Sequence, residues 1–187
     1  GYQITQYDEP LATDGHIILH VEGKEHRFGI ERLHLEEDAG KNIHQGAKTL
    51  VNFNRAGVPL VEMVTKPDFR SPAEAKRFLQ EIRLIARYLD VSEADMEKGQ
   101  MRCDANISLR PVGDIKFYPK TEVKNMNSFR SVEKALVYEI DRQSRLWEDG
   151  KQPQESTTRG WNDDEEMTIL QRSKEESNAY RYFPEPD

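Results

Sequence analysis

The chain has 187 residues, a net charge of −7, 33% charged residues and one cysteine. That length is enough for one sizeable core without disulfides, and a lone Cys103 excludes both a disulfide framework and a cysteine zinc site. The acidic balance excludes the broad basic field of a non-specific nucleic-acid binder, and no apolar run reaches the ~18 residues of a membrane span, so the expectation is a cytoplasmic protein that binds no membrane.

Residues 2–10 read as an entering strand or loop. His16–Val21 and Lys24–Ile30 are β-prone runs separated by Glu22-Gly23, the spacing of a tight hairpin. Ile30–Asp38 continues as a strand in which Leu33, Leu35 and Glu37 share one parity and Arg32, His34 and Glu36 the other. Residues 39–54 are Gly- and Asn-punctuated and read as a loop, with 49–53 a short strand, before the strand VPLVEMVT at 58–65. Ser71, Pro72 and Glu74 form a helix start with a capping box, and an apolar stripe from Ala75 to Leu89 predicts a helix over 72–89. Met101–Arg110 alternates apolar and polar residues throughout, which predicts a half-buried strand with Cys103 on its apolar side. A strand over 120–125, a helix over 129–148 ended by Gly150, and strand-like pieces at 156–161 and 167–172 around the acidic turn 163–166 complete the pattern. This order predicts an α+β fold, one antiparallel sheet with helices on one face and an open face opposite.

Polar residues of that open face should collect. Glu37, Glu62, Asp104 and Glu122 each sit in or at the end of a strand, and Glu37 and Glu62 share a parity with apolar neighbours, where an uncompensated carboxylate is costly. Oxygen-only ligands favour Mg²⁺ or Mn²⁺, and Arg102, Lys120 and Lys124 on the same faces suit phosphate oxygens, the equipment of phosphoryl transfer. The spacing alone equally suits a solvated run at Glu36–Asp38 and surface pairs around Glu122. His16 and His20 share a face but have no third partner for a metal, and Gly40-Lys41 lacks the surrounding residues of a phosphate loop. Tyr180, Tyr182 and Phe183 form an aromatic cluster suited to packing or to stacking bases.

LHLEEDAGK (33–41), NRAGVPLVEMV (54–64), PDFRSPAEA (67–75), MRCDANISLRP (101–111), KTEVKNMNSFR (120–130) and YRYFPEPD (180–187) closely resemble the B subunit of the aspartyl/glutamyl-tRNA amidotransferases, of the GatB/GatE family. The archaeal branch, GatE, shares much of the pattern. The resemblance implies a catalytic domain similar to that of glutamine synthetase and the guanidino kinases, which holds Mg²⁺ and ATP. It implies ATP-dependent phosphorylation of the side-chain carboxylate of Glu on tRNA-Gln or Asp on tRNA-Asn. Ammonia from the glutaminase A subunit, within a heterotrimer that includes a C subunit, then displaces the phosphate. Carried over by motif, the catalytic carboxylates are Glu37, Asp104 and Glu122, with Glu62 joining them as a metal ligand. Arg102, Lys120 and Lys124 are the ATP-contacting candidates. Further N-terminal strands and C-terminal helical and tail domains of the family are not matched, so residues 1–187 are expected to be one catalytic-domain fragment, inactive in isolation. The competing expectation is a non-catalytic module that assembles with the A subunit and tRNA.

Overall fold

The computed structural model describes residues 2–46, 48–173 and 181–184. The chain divides at Asp68/Phe69 into two compact units, residues 181–184 returning to the first. The first holds β1 (Tyr2–Thr5), β2 (Ala12–Val21), β3 (Lys24–Glu37), β4 (Lys41–Gln45), β5 (Lys48–Asn52), β6 (Pro59–Thr65) and β11 (Arg181–Pro184). The second holds α1 (Pro72–Tyr88), β7 (Ala105–Ile107), β8 (Thr121–Lys124), α2 (Phe129–Glu148), β9 (Thr157–Asn162) and β10 (Met167–Ser173). The α+β class holds, and among the described residues most strand pairs are antiparallel, but the strands form three sheets rather than one.

In the first unit the long β3 is the spine. It pairs antiparallel with β1, β2 and β6, and β11 lies parallel to β1. The β2–β3 turn sits where the sequence places it, with Glu22 at φ 50° and Gly23 at φ 78°, the two left-handed positions a two-residue hairpin requires. On β3 the polar parity is the covered one. His34, Glu36 and Asp38 are buried, whereas Leu35 is 40% exposed and Glu37 is also exposed. Parity groups the residues correctly but does not say which face is covered; Thr5 and His34 satisfy Glu36 and let the polar side turn inward. Residues 39–54, expected to be mostly loop, contain the β4–β5 hairpin, whose strands are exposed on both sides and so carry no alternating apolar signal.

In the second unit β7 to β10 form a sheet in the order β10-β9-β8-β7, with β8 and β9 parallel and the other pairs antiparallel. Both helices begin as the sequence predicts. Ser71 accepts from the Glu74 N–H while Glu74 Oε2 accepts from the Ser71 N–H, each at 3.2 Å, and Ser128 Oγ caps α2 through the Ser131 N–H at 3.0 Å. The apolar stripe of α1 is buried at Phe78, but Ile85 and Leu89 at its C-terminal end are exposed. Met96, Val123, Met126, Val132, Ala135, Leu136 and Trp161 form the core.

Met101, Cys103, Ala105 and Ile107 pack against that core, as their alternation demands. Only Ala105–Ile107 is strand, however, because β8 offers a ladder of three residues, Thr121 to Val123, to pair with it. One buried polar network ties α2 to the sheet. Glu139, fully buried, accepts from Arg142 Nη2 at 2.8 Å, Gln143 Nε2 at 3.0 Å and Thr168 Oγ1 at 2.5 Å, and Arg159 stands 3.4 Å away. No helix among the described residues is long and apolar enough to cross a membrane.

Candidate functional site

Strand alternation sorts the second sheet into two faces. Val123 and Arg159 are register partners on the helix side, where Arg159 meets Glu139. Asn106, Glu122 and Thr158 are partners across three strands on the opposite side, and Lys124 pairs with Gly160 there. This opposite face is where three of the residues singled out in the sequence converge. Lys124 Nζ donates to Asp104 Oδ2 and lies 3.5 Å from Glu122 Oε1. Glu122 Oε2 accepts a 3.0 Å hydrogen bond from Thr158 Oγ1. The side chains are partly open, 49% exposed for Asp104, 27% for Lys124 and 19% for Glu122, so a ligand can reach them. Two carboxylates gathered on one cation are an oxygen-only donor set of the kind that suits a hard divalent ion. Arg102 and Lys120 are exposed residues of the same unit.

Thr158 is the member of this group that sequence reasoning misses. Its segment reads as a strand, but its pairing with Glu122, 36 residues away, is a matter of register. Cys103 faces the core, and burial, helped by the Asp104 carboxylate, pushes its thiol up to about 12, which removes it as a nucleophile at neutral pH.

Beside this face lies a cleft of about 440 Å³ lined by Asn125, Asn127, Gly160, Trp161, Asn162 and Gln171 among others. Asn125 adopts φ 64° directly after Lys124, and a side chain at Gly160 would collide with the Gln171 amide and crowd that of Asn125.

Glu37 and Glu62 belong to the first unit. Glu62 pairs with His34 and Glu37 with Pro59, so within their sheet the two stand on opposite faces. Glu62, itself exposed, is the register partner of the buried His34: His34, Glu36 and Glu62 each bring one ligand-type atom within 4.8 Å of the others, the one such trio among the described residues. Within it Glu36 Oε1 accepts from Thr5 Oγ1 at 2.9 Å and from His34 Nε2 at 3.1 Å. His16 and His20 are exposed residues of the β2–β3 hairpin. Tyr180 lies outside the described residues, as do the side chains of Tyr182 and Phe183.

The profile of the GatB/GatE catalytic domain matches residues 1–187. The chain belongs to the GatB/GatE catalytic-domain family. It is 54% identical over 187 residues to the B subunit of the aspartyl/glutamyl-tRNA(Asn/Gln) amidotransferase from Persephonella marina, covering all of this chain and 39% of that one. It is 52% identical over 191 residues to the B subunit from Moorella thermoacetica, covering 100% of this chain and 40% of that one, and 53% identical over 188 residues to that from Thermodesulfovibrio yellowstonii, with 39% of the relative covered. The chain therefore spans about two fifths of the length of these relatives. Within the family match, Asp104, Glu122 and Lys124 fall in the two motifs, RCDAN and KTEVKN, that the fold brings to one face.

Proposed function

We propose that this chain carries the carboxylate-activating centre of a tRNA-dependent amidotransferase B subunit. The observation behind the proposal is the convergence of Asp104, Glu122 and Lys124 on one partly open sheet face in a chain of this family. The reaction is phosphoryl transfer from ATP to the side-chain carboxylate of Glu on tRNA-Gln or Asp on tRNA-Asn. Ammonia then attacks the acyl phosphate, the C–N bond forms and inorganic phosphate leaves. The glutaminase A subunit and a C subunit are the proposed partners in a heterotrimer.

Asp104 and Glu122 would hold Mg²⁺, which when bound neutralises phosphate charge. The chain's own part is electrostatic positioning. Lys124 presents an ammonium between the two carboxylates and can shift its donors to a phosphoryl oxygen. Arg102 and Lys120 are proposed as further phosphate contacts. The resemblance adds Glu37 as a third catalytic carboxylate and Glu62 as a further metal ligand. Separate Glu37→Gln and Glu62→Gln variants tell which of the two serves the reaction.

The test uses the full-length protein in its complex with misacylated tRNA. Asp104→Asn and Glu122→Gln should abolish tRNA-dependent ATP turnover and amide formation while leaving glutaminase activity in place. Near-normal turnover in both would overturn the proposal and favour a purely assembling role for the sheet.

A further inference from the structure

We infer that Thr158 is a positioning residue for Glu122, fixing the rotation of that carboxylate so that it is preorganised for a divalent cation. The inference rests on the reading of Glu122 as a metal ligand and adds a residue that the sequence motifs do not contain.

Two successive threonines of β9 point to opposite faces and do different work. Thr157 Oγ1 meets Thr121 Oγ1 at 3.3 Å on the helix side, within reach of the Glu139 network. Thr158, only 2% exposed, turns to the other side and donates to Glu122 Oε2 at 3.0 Å. A hydroxyl so far removed from water needs a partner, and on this face it meets a carboxylate, which can only accept. The hydroxyl proton is therefore committed to Glu122.

The geometry then divides the labour between the two oxygens. Oε2 is tied to the buried hydroxyl, and Oε1 is the oxygen 3.5 Å from Lys124 Nζ, on the side that Asp104 also faces. A glutamate with three rotatable bonds would otherwise lose side-chain freedom on binding an ion. Threonine suits this anchoring because its β-branch restricts χ1, so Oγ1 is itself held in place. Parallel pairing of β8 and β9, with Glu122 opposite Thr158, sets the distance through the backbone.

Residues that orient a ligand without touching the ion typically change metal affinity by about 10- to 100-fold when removed. The experiment measures Mn²⁺ affinity, by the electron-spin signal of free Mn²⁺, on the full-length protein in its complex. Thr158→Val, which keeps the shape and removes the hydroxyl, should weaken binding about tenfold. Thr158→Ser, which keeps the hydroxyl, should restore it. In a Glu122→Gln background Thr158→Val should add nothing, since the two act through one carboxylate. Thermal melting without metal identifies a folding defect, and Thr158→Ala repeats the test if the valine variant does not fold. Undiminished Mn²⁺ affinity in Thr158→Val, alongside weakened binding in Glu122→Gln, would overturn this inference and leave the metal site standing. Unchanged affinity in Glu122→Gln would overturn the ligand reading itself.

Discussion

Lys124 bridges Asp104 and Glu122, donating to the first and standing 3.5 Å from an oxygen of the second. Because all three side chains keep contact with water, the pair interactions contribute little to folding, on the order of 1 kcal/mol or less. Lys124→Met should therefore leave the urea midpoint nearly unchanged. On the proposed function its effect on chemistry should be far larger, about 100-fold or more in tRNA-dependent ATP turnover, because Lys124 would then be a preorganised cation where phosphoryl charge develops. Urea denaturation and steady-state turnover on the same preparation check both halves.

Glu139 presents the opposite case, a carboxylate with no exposure whose role is in the fold. Burial pushes its carboxyl up, but hydrogen bonds from Arg142, Thr168 and Gln143 outweigh that and hold it below the usual carboxylate range. A folded value below the unfolded one means the unfolded chain binds the proton more readily. The contribution is thus present above the ordinary carboxylate range and lost as pH falls through the lowered folded value. Glu139→Gln should cost about 3 kcal/mol near neutral pH by leaving Arg142 and Arg159 poorly compensated. On acidification the wild-type chain should lose more stability than the variant, so that the two urea curves approach each other.

What could be read in advance divides along physical lines. The α1 capping box and the Glu22-Gly23 turn are local: the residues that make the interaction are three positions apart or adjacent, and the sequence displays them together. The parity of Met101 to Ile107 is local too, and its apolar members do pack on the core. Burial of a face is not local. His34 and Glu36 turn inward because Thr5, on another strand, supplies a donor, and nothing in the alternation of 30–38 reveals that partner. The same applies to Thr158, which becomes part of the site only through register with Glu122. The division into two units also escapes the element order, because the boundary at Asp68/Phe69 falls just before a well-capped helix.

Cys103 gives a chemical probe of the core beneath the site. Its thiol, pushed up to about 12 by burial and the neighbouring Asp104 carboxylate, carries almost no thiolate at pH 8. A disulfide reagent in excess should label the native chain slowly and the urea-unfolded chain at the rate of a free thiol. Rapid native labelling would mean that the Met101–Ile107 segment opens from the core.

Two glycines in the first unit, on adjacent rungs of the β2–β3 ladder, provide a paired test of packing. Gly15 pairs with Ile30 and Gly29 with His16. A methyl group added at Gly15 would meet Ile30 Cβ at 3.6 Å, ordinary contact. The same group at Gly29 would stand 2.9 Å from Lys66 Cδ, 3.0 Å from Asp68 Oδ2 and 3.1 Å from Lys66 Cβ. The lysine tail can swing away, but its Cβ moves only with the backbone, and that backbone is held by the Lys66 N–H to Gly29 C=O bond at 2.8 Å. The Asp68 carboxylate is held as well, by the 2.7 Å hydrogen bond it accepts from the Gly29 N–H. Gly29→Ala should therefore cost about 1–3 kcal/mol, the range for forcing a methyl into a filled space. Gly15→Ala should be neutral or slightly stabilising, since alanine reduces the freedom of the unfolded chain. Equal urea midpoints for the two variants would show that the Lys66–Asp68 connection yields without cost.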